Sequence, residues 1–115
     1  MYLKEVRDIL GAEVLYGEEK LDTVVLSACG SDFMSDVLAY VKDQAILLTG
    51  LVNPQVIRTM EMMGMKCIVF VRGKRPDEET LAVAREKGIV VMTTELPMYP
   101  SCGKLYAGGL TGTYE

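Results

Sequence analysis

Histidine is absent from this 115-residue chain. With it go the commonest imidazole ligand and the commonest general base, so Ser-His and Cys-His nucleophile pairs and most zinc sites are excluded. Cysteine is scarce too. Cys29, Cys67 and Cys102 stand far apart, are odd in number and form no C-x-x-C pair, so they read as reduced thiols and exclude a disulfide framework. No apolar run approaches the roughly 18 residues that a bilayer span requires. The N-terminal MYLKEVRDIL mixes charged with apolar residues where a signal peptide carries an unbroken apolar core. A cytoplasmic protein with no membrane partner is therefore expected. Neither G-x-G-x-x-G nor a glycine-rich loop followed by a Walker lysine occurs, so a nucleotide site of a standard kind is excluded as well.

What is present describes one compact domain. Hydrophobic residues make up 50% of the chain and charged residues 24%, with a mean hydropathy of +0.21, well away from disorder. The formal net charge is −4 and the pI near 4.9, a field that repels phosphate backbones, so no nucleic-acid partner is expected. Residues 1–110 read as a single domain and 111–115 as a frayed C-terminal tail.

Leu3, Val6, Ile9 and Leu10 fall at helical spacing, and Gly11 ends that helix. AEVLY and DTVVLSA read as strands. Ser31 and Asp32 cap a helix over SDFMSDVLAYV with Phe33, Val37, Leu38 and Val41 on one face. The chain then alternates: strand AILLTG, helix NPQVIRTMEMMG with Asn53 as cap and Pro54 in its first turn, strand CIVFV, helix PDEETLAVAREKG, strand IVVMT, and a last helix through PMYPSCGKLYAGG. Continuous apolar runs such as AILL and CIVFV belong to strands covered on both faces, and the intervening helices supply the crossovers that parallel pairing needs. The expected fold class is α/β, a three-layer α/β/α sandwich with a mostly parallel central sheet.

GSDFMSDVL, then ILLTG before an Asn-Pro helix, then CIVFVRGKRPDEETLAVAREKGIVVMTTE and a closing helix, together resemble a stand-alone DRTGG domain over nearly the whole chain. Such domains are similar to the N-terminal domain of HPr kinase/phosphorylase. They accompany CBS domains in inorganic pyrophosphatases and occur in long phosphotransacetylases. The resemblance implies a regulatory role, not catalysis by the domain itself. The chain departs from the family pattern in two places: Leu51 and Val52 stand where Asp-Arg is usual, and Val71-Arg72-Gly73 where Thr-Gly-Gly is usual.

In parallel α/β sheets, ligands bind beyond the carboxyl ends of the strands, where loops meet helix N-termini. Four loops qualify: Ala28-Cys29-Gly30-Ser31-Asp32, Thr49-Gly50 to Asn53, Arg72-Gly73-Lys74-Arg75, and Thr93-Thr94. Small residues, hydroxyls and three neighbouring cations suit a small anionic ligand, a phosphorylated metabolite or nucleotide. The same residue types are also those of capped, solvated turns, so both readings stand. No cofactor and no metal is expected: Asp32 and Asp36 are spaced to share a helix face, but they lack a third acid or a histidine. Two functions follow. One is a non-catalytic regulatory and interaction module, a homodimer that serves a partner enzyme. The other is a small cysteine-dependent enzyme or redox protein using Cys29, whose thiol has no base partner in sight. Met60, Met62, Met63 and Met65 cannot all enter one core from a single stretch of helix, which points to an adaptable apolar contact surface.

Overall fold

A computed structural model describes residues 1–33, 35 and 45–111. Helix α1 (Leu3–Leu10) leads to strand β1 (Glu13–Tyr16), a short 3-10 turn (Glu18–Lys20) and strand β2 (Ser27–Gly30). Strand β3 (Ala45–Thr49), helix α2 (Pro54–Met62), strand β4 (Cys67–Phe70), helix α3 (Glu78–Lys87), strand β5 (Val90–Thr93) and helix α4 (Met98–Ala107) follow. The sheet has five strands in the order β1-β5-β4-β3-β2. Strands β2, β3, β4 and β5 are parallel, and β1 joins the far edge antiparallel to β5.

The alternation of side chains along these strands fills two cores. Ile46, Leu48, Val69 and Met92 meet Leu3, Val6 and Leu10 of α1 and Leu105 of α4 on one face. Leu47, Ile68, Phe70 and Val91 meet Val56, Ile57 and Met60 of α2 and Val83 and Ala84 of α3 on the other. Every residue of β3, β4 and β5 is buried, as their unbroken apolar runs require. The α/β/α sandwich with a mostly parallel sheet is thus the observed architecture.

Two sequence expectations are corrected in position. DTVVLSA is not one strand: β2 begins only at Ser27, and Val24 makes a single antiparallel bridge to Tyr2. The reason is a competing partner. Leu3 N donates to Thr23 O at 3.0 Å and Val25 N to Met1 O at 2.8 Å, so residues 23–25 serve the chain's N-terminus before the strand starts. The Cys-Gly-Ser segment read as a turn is strand through Gly30, with only Ser31 beyond it. Of the helix expected over SDFMSDVLAYV, Val37, Leu38 and Val41 lie outside the described residues, as does Asp36, and so do residues 112–115 of the expected tail. The last helix passes through Pro100, whose missing N–H falls in the first turn where no intrahelical partner is required.

Asn53 caps its helix as expected, and Asp77, one of the acids at the start of the next helix, caps that one. Asn53 Oδ1 accepts from Val56 N at 3.0 Å and Asp77 Oδ1 from Thr80 N at 2.9 Å. The Thr80 side chain and backbone N–H, both set against the Asp77 carboxyl, hold its pKa below the ordinary 3.8. The stabilisation from this charge is therefore complete above that ordinary value and is lost as pH falls through the lowered one. Asp77→Asn keeps a capping oxygen but not the charge. The Tm gap between the two proteins should narrow from about pH 6 to about pH 3; a gap constant in pH would assign the cap no charge contribution.

Candidate functional site

The carboxyl ends of β2, β3 and β4 come together around Gly50. Ser31 N donates to Leu48 O at 3.0 Å, which carries the chain across the end of β3. Asp32 then turns its carboxylate onto the next loop: Oδ1 accepts from Gly50 N at 2.7 Å and from Thr49 Oγ1 at 3.1 Å. Leu51 N donates to Thr49 Oγ1 at 3.0 Å, so the loop after β3 is fixed by one carboxylate and one hydroxyl.

From the other side, Arg72 closes over the same glycine. A Cβ placed on Gly50 would collide with Nη2 of Arg72, so only glycine lets the guanidinium lie there. Arg72 also has a left-handed backbone, φ 59°, the only non-glycine residue with positive φ among the described residues, and Gly73 follows at φ 68°. Bonds from Arg72 N to Leu96 O and from Gly73 N to Thr94 O, both 2.8 Å, hold this turn in place, and Lys74 N closes it onto Val71 O at 3.2 Å. Among the described residues, no carboxylate lies within ion-pair distance of Arg72 or Lys74.

Not every expected residue joins this group. Arg75 faces away, held to Glu13 by two bonds of 3.1 Å, so the three expected cations are not one cluster. That hydrogen bonding and charge lower the Glu13 pKa from its ordinary 4.5 and raise that of Arg75. Thr93 Oγ1 donates to Lys74 O at 2.6 Å and Thr94 Oγ1 to Leu10 O at 2.8 Å, so both hydroxyls are committed to internal carbonyls. Asn53 caps α2. The Ser31 hydroxyl accepts from Phe33 N at 3.0 Å.

Cys29 packs against the α2 and α3 face, on the opposite side of the sheet from Gly30. Cys67 is fully buried, and burial drives its thiol far above the ordinary range. Among the described residues, no group of three or more His, Cys, Asp or Glu could hold a metal ion, and no helix is long and apolar enough to cross a membrane.

Next to the Gly50 loop, on the α1 and α4 face, lies a cleft of about 270 Å³. Ala28, Gly30 and Leu48 form its sheet side, Cys102, Leu105 and Tyr106 its helix side, and Leu110 closes it. Of these, Gly30 is an expected site residue and Ala28 opens the same expected loop. The others were missed because the cleft exists only where α4 docks across β2 and β3. The available signal was Gly30 itself: a Cβ there would stand 2.6 Å from Cys102 Sγ and 3.3 Å from Met98 Sδ, so the absent side chain is what lets the helix approach.

The DRTGG domain family matches residues 5–104. The chain belongs to that family. The fold agrees with a solved structure, that of the CBS and DRTGG domains of the regulatory region of Clostridium perfringens pyrophosphatase complexed with its activator, diadenosine tetraphosphate. The likeness has a TM-score of 0.74 at 16% identity and covers 90% of this chain. It spans 45% of the other, so this DRTGG domain corresponds to under half of that regulatory region. No curated protein matches the chain in sequence. The name-giving residues are replaced at informative places. Leu51 and Val52, where the family pattern has Asp-Arg, follow the Gly50 loop, and Arg72, inside the altered Thr-Gly-Gly segment, returns a guanidinium to that same loop.

Proposed function

We propose that this DRTGG domain is a non-catalytic regulatory and interaction module of the cytoplasm. It self-associates as a homodimer and binds a small phosphorylated metabolite or nucleotide on behalf of a partner enzyme. Residues 1–110 form its folding unit, with Leu110, 4% exposed, near the end of the core.

The observation that carries the reading is Arg72. A left-handed backbone costs a non-glycine residue about 1–2 kcal/mol. That cost is retained here for a guanidinium with no carboxylate partner among the described residues, set at the strand ends where α/β sheets bind ligands. A planar fork of N–H donors suits a phosphate, which it grips bidentately. Lys74 adds a second cation in the same turn.

The test is Arg72→Gly. Relief of the left-handed strain is offset by about 0.4–1 kcal/mol of added freedom in the unfolded chain, so stability should hold or rise by up to about 1.6 kcal/mol. The thermal shift produced by phosphate-bearing ligands should vanish in the same variant. A ligand shift that survives Arg72→Gly would remove Arg72 from the site and the reading with it.

A further inference from the structure

We propose that the ligand gripped by Arg72 is a monophosphate ester of a polyol or sugar, and that Asp32 selects it by accepting a hydrogen bond from a hydroxyl beside the phosphate. This assignment rests on the anion reading of Arg72 and adds the class of ligand.

Two opposite charges meet the same residue here without meeting each other. Asp32 Oδ1 accepts from Gly50 N at 2.7 Å, and the Arg72 guanidinium lies where a Cβ on Gly50 would stand. With ordinary bond lengths inside the glycine, Oδ1 and Nη2 are no more than about 8 Å apart. Among the described residues, no ion pair joins them. Local bonds keep each in its place: the carboxylate is committed through Oδ1 to Gly50 N and Thr49 Oγ1, and Arg72 sits in a turn pinned to Leu96 O and Thr94 O. Gly50 itself has no positive φ, so the room it leaves for the guanidinium, and not backbone freedom, is what its missing side chain supplies.

What remains on each side is unmet. Asp32 Oδ2 has no partner among the described residues, and neither has the Arg72 side chain a bonded acceptor there. Both residues are exposed. One small molecule over Gly50 therefore finds a fork of donors on one side and an acceptor oxygen on the other. An anion with a hydroxyl close to it answers both.

The surrounding charge narrows the choice further. Glu95 borders the same turn, its Oε2 2.7 Å from where a Cβ on Gly73 would lie, while Arg75 is already matched by Glu13. Arg72 and Lys74 are thus balanced by Asp32 and Glu95. A bare phosphate or a polyphosphate meets carboxylates as well as cations and gains little from that field. A hydroxyl turns the Asp32 carboxylate from a repelling group into a bonding one.

Calorimetric titration of the whole chain with glycerol 3-phosphate, n-propyl phosphate and inorganic phosphate tests this. The two esters carry the same charge and differ only in their hydroxyls. Glycerol 3-phosphate should bind about tenfold more tightly than propyl phosphate, the effect of one hydrogen bond to a charged group. Asp32→Asn supplies the control, because its amide oxygen still accepts from Gly50 N and so leaves the –NH2, a donor, where Oδ2 stood. In that variant the preference should fall to within about twofold, while propyl phosphate binds as well as before or better once the like charge is gone.

Equal binding of the two esters to the unaltered chain overturns the hydroxyl contact. So does a weakening of both esters alike in Asp32→Asn, which would make the carboxylate a support for the loop alone. A preference abolished by EDTA would put a divalent cation between carboxylate and ligand and overturn the direct bond as well. The anion reading fails separately. A hydroxyl preference that needs Asp32 but is indifferent to Arg72→Ala removes that reading, whereas ester binding that needs Arg72 and ignores the hydroxyls keeps it and removes Asp32 from the ligand. Binding of none of the three probes at millimolar concentration ends both.

Discussion

Phe70→Ala is expected to lower the stability of the domain by about 3–5 kcal/mol, the range for truncating a fully buried aromatic side chain. Phe70 is 0% exposed and is the largest fully buried side chain among the described residues. It stands at the carboxyl end of β4, between Thr49 of β3 and Thr93 of β5, and fills the core under α2 and α3. Removing the ring leaves a cavity that three packed layers cannot collapse into, which adds to the lost transfer energy. Against a total of about 5–15 kcal/mol for a typical domain, this is enough to populate the unfolded chain at physiological temperature. The loss also reaches the site, since the chain leaves Phe70 through Val71 directly into the turn that carries Arg72. Urea denaturation should show a reduced midpoint with an unchanged slope; a loss below about 1 kcal/mol would mean that the ring is not packed as a core residue.

That same strand illustrates what the amino-acid sequence discloses. CIVFV and AILL are legible because a strand covered on both faces needs an apolar residue at every position, and almost no other local structure of that length does. Asn53 and Asp77 are legible for a similar reason: each cap bonds an N–H three residues ahead, within one turn. The site is read less well because its bonds are not local. Asp32 looks like a helix cap in sequence, yet its carboxylate bonds residues 17 and 18 positions onward. Arg72 and Gly50 meet only because β3 and β4 are paired in a particular register. Thr93 and Thr94 have the composition of an anion loop, but α1 and the Lys74 turn present carbonyls to them, and a hydroxyl already bonded inside the protein has little left for a ligand. The cleft depends on where α4 lands, which periodicity along one segment does not specify.

The methionines test the same boundary between local pattern and tertiary placement, and they give the second large effect. Met60 and Met65 are buried at 0% and 3% exposure, Met62 is 77% exposed, and Met63 lies between these limits, packed against the α2 and α3 core. Helical geometry explains the split, since positions 60 and 62 point about 200° apart around the axis. Met60→Glu is therefore expected to unfold the domain, because an ionised carboxylate would be forced into a cluster of buried apolar side chains. Its cost should exceed about 3 kcal/mol and should be seen as loss of a cooperative thermal transition at neutral pH. Met62→Glu places the same charge in water and should leave the transition within about 0.5 kcal/mol of the unaltered chain. In the proposed homodimer the outcome for assembly is reversed. An exposed methionine on a chain of net charge −4 is an adaptable apolar contact, and a carboxylate there adds like-charge repulsion across a two-fold axis. Sedimentation of Met62→Glu across a concentration series should thus shift toward monomer while the fold is kept. A dimer that survives this charge moves the contact away from α2, and a chain that is monomeric before any substitution ends the self-association reading.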